Sequence, residues 1–366
     1  MGAEPIPTKQ RLLGLDALRG IAVLLMIEQH LGVWLWTGPG PGETLENYPG
    51  LLAFNALGGG AAPAFVTLAG IGSSLLVSKR ESPDRSLFLR GLVVMGFGYL
   101  LSFLTPSWFD LRCSWFVLHL MGLGMLTTPL WRRLPTSALL GLAFAVLAAT
   151  GFVQAWLDTP LHLTNDYMAG RAPSSPQQYT ALRLALAEAQ FPVFPWFSFF
   201  LAGLACGRWV SEGKLDLIAK LAGGVLGLGL VGVIVHGSIV VPKTSVASRT
   251  LALNVPFFPA SPTLVALLLA AVLIGIWAVM AIERRRALAD ANPLVTLGRA
   301  SLSLLLLHVW LFREATRPVG MWQSLSLGAA LAVLLGFIAF SAVASRLWQK
   351  VDYKFGAEWL LRKLAP

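Results

Sequence analysis

Apolar residues in this chain come in long runs separated by short polar breaks. Each run is about 17 to 25 residues, the length a helix needs to cross roughly 30 Å of hydrocarbon at 1.5 Å per residue. Such runs lie at 20–36, 53–78, 87–104, 115–131, 136–157, 193–209, 218–239, 262–282, 294–311 and 322–345. They predict an all-α protein, a polytopic transmembrane helix bundle of about ten spans forming one domain over residues 1–366. The short alternating segments of an outer-membrane barrel are absent, and no internal repeat with a clear period is visible.

Basic residues sit in the breaks and orient the runs. With the N-terminus in the cytoplasm, 21 of the 28 Lys and Arg residues fall inside, leaving only Arg112, Arg171, Arg183, Lys243, Arg249, Arg313 and Arg317 outside. That asymmetry implies a multi-pass protein of the cytoplasmic (inner) membrane with both termini inside. With 56% of residues apolar and 13% charged, the lipid bilayer is its main partner. The net charge of +10 does not mark a nucleic-acid binder, because no basic run exceeds Arg284, Arg285 and Arg286. An oligomer is neither required nor excluded. The basic N-terminal stretch followed by an apolar one has the outline of a signal peptide. It contains Glu28, Gln29 and His30 and lacks a small-residue cleavage site, so it is expected to remain as the first helix. Cys113 and Cys206 fall near opposite faces, which argues against a disulfide.

The longest outside connection, 158–192, is expected to hold a short helix around Tyr179 to Gln190 and to be either a lid or a linker. Gly58, Gly59 and Gly60 lack the Lys and Ser/Thr of a phosphate loop and read as a helix entrance or kink. Gly223, Gly224, Gly227 and Gly232 read as small residues that let helices approach.

Ionisable side chains inside a bilayer cost at least about 2.5 kcal/mol on insertion scales, so each is a functional candidate. Arg19 stands at the inner end of the first helix, and His30, eleven residues on, is roughly 16 Å deeper. Arg299 stands at the inner end of the ninth span, and His308, nine residues on, is roughly 13 Å deeper. The two helices run in the same direction, so the histidines reach similar depth. Glu28 projects about 200° away from His30 around the helix and is placed to face another helix. Interhelical hydrogen bonding is an alternative role for all three. His119, His162 and His236 read as interfacial. No GxSxG, HExxH, paired-Cys or dinucleotide fingerprint is present, and nothing in the spacing supports a metal site.

The segment from Arg11 through Asp16, Arg19 and Gly20 to His30 resembles the opening helix of the transmembrane acyltransferases. These include bacterial relatives of the lysosomal heparan-α-glucosaminide N-acetyltransferase and the enzymes that acylate bacterial surface glycans. Ala62 to Gly70, Phe191 to Gly203 and Leu297 to His308 are similar, in that order, to further segments of the heparan-type branch. The lysosomal enzyme has Asn at the position of His30, so the catalytic role of His30 comes from the glycan-acylating branch.

The resemblance implies an acyltransferase moving an acyl group, acetyl in particular, from cytoplasmic acyl-CoA to a glycan or other small-molecule acceptor outside. Arg11, Arg19 and Arg299 would hold CoA phosphates, with Asp16 either orienting them or capping the helix. His30 would act as general base or carry the acyl group transiently, with His308 and Glu28 completing the catalytic set. Trp34, Trp36, Trp108, Trp115 and Trp156 form an aromatic belt or a stacking surface for a sugar. A proton-coupled transporter or flippase is the competing class, and a structural membrane scaffold the third. The topology predicts that a cysteine at residue 170 is labelled from outside and cysteines in the 283–293 loop from the cytoplasm; labelling of residue 170 from the cytoplasm would overturn it.

Overall fold

The computed structural model describes residues 11–107, 114–164, 168, 180–253 and 257–365. In chain order the main helices are α1 (Leu13–Leu35), α2 (Pro49–Gly58), α3 (Ala61–Lys79), α4 (Pro83–Leu104), α5 (Val117–Trp131) and α6 (Thr136–Trp156). They continue as α7 (Val193–Ser211), α8 (Leu215–Ser238), α9 (Pro262–Arg285), α10 (Pro293–Arg299), α11 (Ser301–Val309), α12 (Leu327–Gln349) and α13 (Ala357–Leu364). Among the described residues the only β pairing is a single parallel bridge between Trp36 and Leu325. The architecture is an all-α polytopic bundle.

Among the described residues, and with Pro49–Lys79 taken as one, eight helices are long and apolar enough to cross a membrane, and a ninth span arises if α10 and the helix from Ser301 to Ala315 count as one. The remaining expected span, 115–131, is the 15-residue helix α5, about 22 Å long at 1.5 Å per residue and short of the hydrocarbon thickness.

The chain forms two compact units, one of Arg11–Phe65 with Val279–Lys363, the other built on Val66–Ala278. In the second, glycines set the helix spacing. A Cβ on Gly203 would meet the Thr67 carbonyl, and one on Gly70 the Phe200 carbonyl. The two motif segments around those residues therefore pack backbone to backbone, α3 on α7. Gly91 and Gly122 do the same for α4 and α5. The glycines of α8 correct the sequence reading: Gly232 touches Thr263, but Gly223, Gly224 and Gly227 have no neighbour among the described residues within 4 Å of where a Cβ would stand. The expected helix in the 158–192 connection appears as Ala181–Arg183 followed by a π turn, Leu184–Glu188. There the buried Glu188 accepts from Arg183 and Thr159. His119 is fully buried rather than interfacial, its Nδ1 accepting from the Phe116 amide beneath Tyr99 and Trp115. Cys206 is buried and unbridged; Cys113, Trp108 and residue 170 lie outside the described residues.

In the other unit α1 is central. Val23, Ile27, Leu31, Trp34 and Leu35 recur at helical spacing and are buried. Its C-terminal carbonyls are satisfied by the loop before α12: Gln323 donates to Trp34 and Leu325 to Leu35, while Thr37 donates back to Leu325. The ninth expected span is not continuous. It bends by 73° between α10 and the helix that follows, with Ala300 at φ −101°, ψ 12°. The break frees the amides of Leu302 and Ser303, and both donate to Glu358 Oε1 of α13, at 2.5 and 3.0 Å. The Ser303 hydroxyl donates to Glu358 Oε2 at 2.6 Å and accepts from the Ala357 amide. A carboxylate thus caps the restarted helix at its electropositive end.

Burial pushes the Glu358 carboxyl above its ordinary value, against hydrogen bonds that oppose the rise. A carboxyl with a pKa raised by folding favours the folded state most at low pH. That contribution fades as pH rises from about 4.3, the unfolded value, through the raised one. Glu358→Gln keeps an acceptor oxygen and removes the ionisation, so its melting temperature should change less across this window than that of the parent. An unaltered pH profile would mean that Glu358 does not supply the effect.

Candidate active site

The inner ends of α1 and α10 meet through glycine. A Cβ on Gly20 would overlap the Leu294 carbonyl, and one on Gly298 the Asp16 carbonyl. This contact brings three arginines to one carboxylate. Asp16 accepts from Arg11 Nε at 2.6 Å, Arg19 Nη1 at 2.9 Å and Arg299 Nε at 3.3 Å. The Asp16 side chain is 3% exposed and makes no capping bond to its own helix. Arg299 also binds Asp290 through both Nη atoms, and Gln349 of α12 donates to the same carboxylate. The bond to Arg299 holds the Asp290 carboxyl below its usual range.

The arginines differ in what they have left to offer. Arg299 is 10% exposed and engaged on both sides by carboxylates, whereas Arg19 is 29% and Arg11 54% exposed, each giving a single nitrogen to Asp16. Arg11 and Arg19 therefore retain donors that an incoming phosphate can reach; Arg299 works as a tie between α1, α10 and the 286–292 loop.

Further along α1, His30 Nδ1 lies 2.8 Å from His308 Nε2. His308 is fully buried, and its Nδ1 lies 2.8 Å from the Leu304 carbonyl one turn earlier. A carbonyl only accepts, so His308 carries its proton on Nδ1 and, when neutral, presents a lone pair on Nε2. His30 must then donate from Nδ1, which assigns its own lone pair to Nε2. Trp34, one turn beyond His30 and 3% exposed, stacks on the His30 ring with centroids 4.5 Å apart and lies 6.1 Å from that of His308.

The structure thus gathers Arg11, Arg19, Asp16 and Arg299 at one end of α1 and His30 with His308 further along. Glu28 is elsewhere, as its angular offset implied. Its Oε2 points at Gly58 of α2, within 2.7 Å of where a Cβ would stand, and makes no hydrogen bond among the described residues. The 13 Å straight-helix count from Arg299 to His308 fails because the helix bends at Ala300, yet the two rings still meet. Sequence reasoning missed Asp290 and Glu358, whose partners are distant in the chain, and saw Trp34 as a belt residue or a stacking surface for a sugar, not as a partner of His30. Its spacing of four from His30 was the available signal. Among the described residues no group of three or more His, Cys, Asp and Glu side chains could hold a metal.

Residues 11–223 match the family model described as heparan-alpha-glucosaminide N-acetyltransferase, catalytic, and residues 208–366 match one described as a protein of unknown function (DUF418). No curated protein matches the chain. The histidine pair draws one ring from each matched region.

Gly298→Ala should force α1 and α10 apart, at about 1–3 kcal/mol as for other overpacked sites. A lowered melting temperature should accompany loss of cross-linking between cysteines placed at 30 and 308, which should form readily with Gly298 intact. Equal cross-linking in both backgrounds would show that the glycine contact does not set this distance.

Proposed function

Because the chain belongs to the heparan-alpha-glucosaminide N-acetyltransferase catalytic family and is therefore a membrane acetyltransferase, we propose that it moves acetyl from cytoplasmic acetyl-CoA to a sugar hydroxyl or amine presented from the other side of the membrane. The observation that carries this reading is the hydrogen-bonded series Leu304 carbonyl, His308, His30, which supports His30 Nε2 as the base. Arg11 and Arg19 are the residues suited to hold CoA phosphates, because their unused guanidinium nitrogens are exposed. Asp16 fixes both, and Arg299 supports them indirectly.

Acetyl-CoA supplies an activated thioester. As the acceptor oxygen or nitrogen attacks its carbonyl carbon, His30 Nε2 takes the acceptor's proton. The new C–O or C–N bond forms, the C–S bond breaks, and the proton passes from His30 to the departing thiolate. His308 orients the His30 ring and shares the charge that develops on it, the part played by the third member of a hydrolase triad. Trp34 stacks on one face of the His30 ring and fixes its plane. Glu28, on another face of α1, supports the packing of α2 in this scheme.

His30→Ala should lower acetyl transfer by about 10²- to 10⁴-fold while CoA still binds in calorimetry. His308→Ala should be milder and Glu28→Ala milder still. Arg19→Ala should weaken CoA binding by about tenfold or more, with the fold retained because Asp16 keeps Arg11 and Arg299. Near-normal transfer by His30→Ala beside a dead His308→Ala would move the base to α11. Substrate movement without acetyl-CoA turnover would make the chain a transporter using the same polar residues as a proton relay.

A further inference from the structure

After the membrane-crossing helix α12 the chain turns sharply into α13. Exposed apolar side chains run from α12 into that turn: Val343 and Leu347, then Val351 and Phe355, each more than half exposed. Asp352, Tyr353 and Phe355 take left-handed backbone, at φ 53°, 51° and 66°, a conformation that L side chains adopt reluctantly. The protein itself holds Tyr353, whose ring is buried and whose hydroxyl donates to the Thr296 carbonyl at 3.4 Å. Phe355 is different. Its ring is 87% exposed and, among the described residues, stacks on Trp359 alone, at 5.4 Å between centroids. On α13, at about 100° per residue, Lys363 and Leu360 lie roughly 140° and 200° round from Glu358. The face turned away from the Glu358 cap is therefore apolar and basic, with Lys363 Nζ 4.9 Å from the Trp359 ring centroid.

We propose that α13 and the turn before it lie in the headgroup layer of the leaflet at which α12 ends, with Phe355 and Leu360 at the acyl boundary and Lys354 and Lys363 on anionic phospholipid, and that this docking regulates the reacting centre. The docking surface stands by itself; its regulatory meaning rests on the acetyltransferase reading. Exposed rings and lysines at the end of a span are the side chains that anchor a segment at the interface. Charge selects the occupant. Of the two carboxylates in 350–364, Asp352 lies 3.7 Å from Arg362 and Glu358 is taken by the amides of Leu302 and Ser303. Lys350, Lys354 and Lys363 make no ion pair among the described residues, and that surplus suits an anionic surface. The inward side of the same segment holds the site. Gln349 donates to Asp290, the partner of Arg299, and Glu358 caps the helix that carries His308. A docked α13 keeps Glu358 on those amides; a released one lets the break fray and His308 leave His30.

The test uses full-length protein in phosphatidylcholine vesicles with and without phosphatidylglycerol. An environment-sensitive fluorophore on Leu360→Cys, in a background lacking Cys113 and Cys206, should shift to the blue when phosphatidylglycerol is present. The docked-to-free ratio should fall about fivefold for each of Lys354→Gln and Lys363→Gln. It should also fall in Phe355→Asn, which tolerates the left-handed turn but lacks the ring. Phosphatidylglycerol should likewise raise the yield of the cross-link between His30→Cys and His308→Cys, and acetyl-CoA turnover by the unaltered protein; the double lysine variant should reduce both gains. A fluorophore signal indifferent to phosphatidylglycerol would overturn the docking surface. Docking with cross-linking and turnover unchanged would overturn the regulation. Lipid-dependent docking and cross-linking without any acetyl-CoA turnover would leave the hold of α13 on the histidines standing and remove the transferase reading.

Discussion

The close approach of α1 to α10, backbone against backbone at Gly20 and Gly298, is the constraint on which the unit containing the histidines depends. Any Cβ at either position would overlap a carbonyl oxygen. Only with this spacing can one carboxylate, Asp16, reach arginines before it, after it and on the neighbouring helix. The ion cluster in turn makes the approach tolerable. Three guanidinium groups crowd one end of α1, and the buried Asp16 with the more exposed Asp290 offsets most of their charge.

The bend at Ala300 creates a second problem and solves a first. A straight helix held to α1 by Gly298 would continue in one fixed direction; the 73° turn lets α11 take its own course and carry His308 to His30. The cost is a set of unsatisfied amides, which a low-dielectric environment penalises heavily. Glu358 meets that need from the far end of the chain, so α13 is coupled to the placement of His308. Past His308 the chain winds as a π segment, Trp310–Ala315, with Arg313 over the Trp34 ring. The helix thus departs from α geometry on either side of His308.

The histidine pair joins the two regions that match family models. The region that matches the acetyltransferase catalytic model carries His30 and the Arg11 and Arg19 donors, while the region that matches the uncharacterised family carries His308, Arg299 and Glu358. Neither contains a complete hydrogen-bonded series. His308 needs Leu304 to define its tautomer, and His30 needs His308 to define its own.

By itself the sequence determined the all-α bundle, since runs of hydrocarbon-spanning length separated by basic breaks have one economical solution in a bilayer. It also determined which ionisable residues to examine, because Asp16, Arg19, His30 and His308 stand out against apolar surroundings. It placed Glu28 correctly on another face from His30, as helical periodicity requires. Only the tertiary structure decided that Arg299 is enclosed by carboxylates while Arg11 and Arg19 keep donors to spare, that the ninth span breaks, and that His30 and His308 share a proton. It alone showed that three glycines of α8 face open space while Gly203 and Gly70 meet. These differences have one physical reason: periodicity and transfer energy act along a single helix and are legible in it. A break, a π turn, a tautomer or a shared carboxylate depends on what a distant segment places beside it.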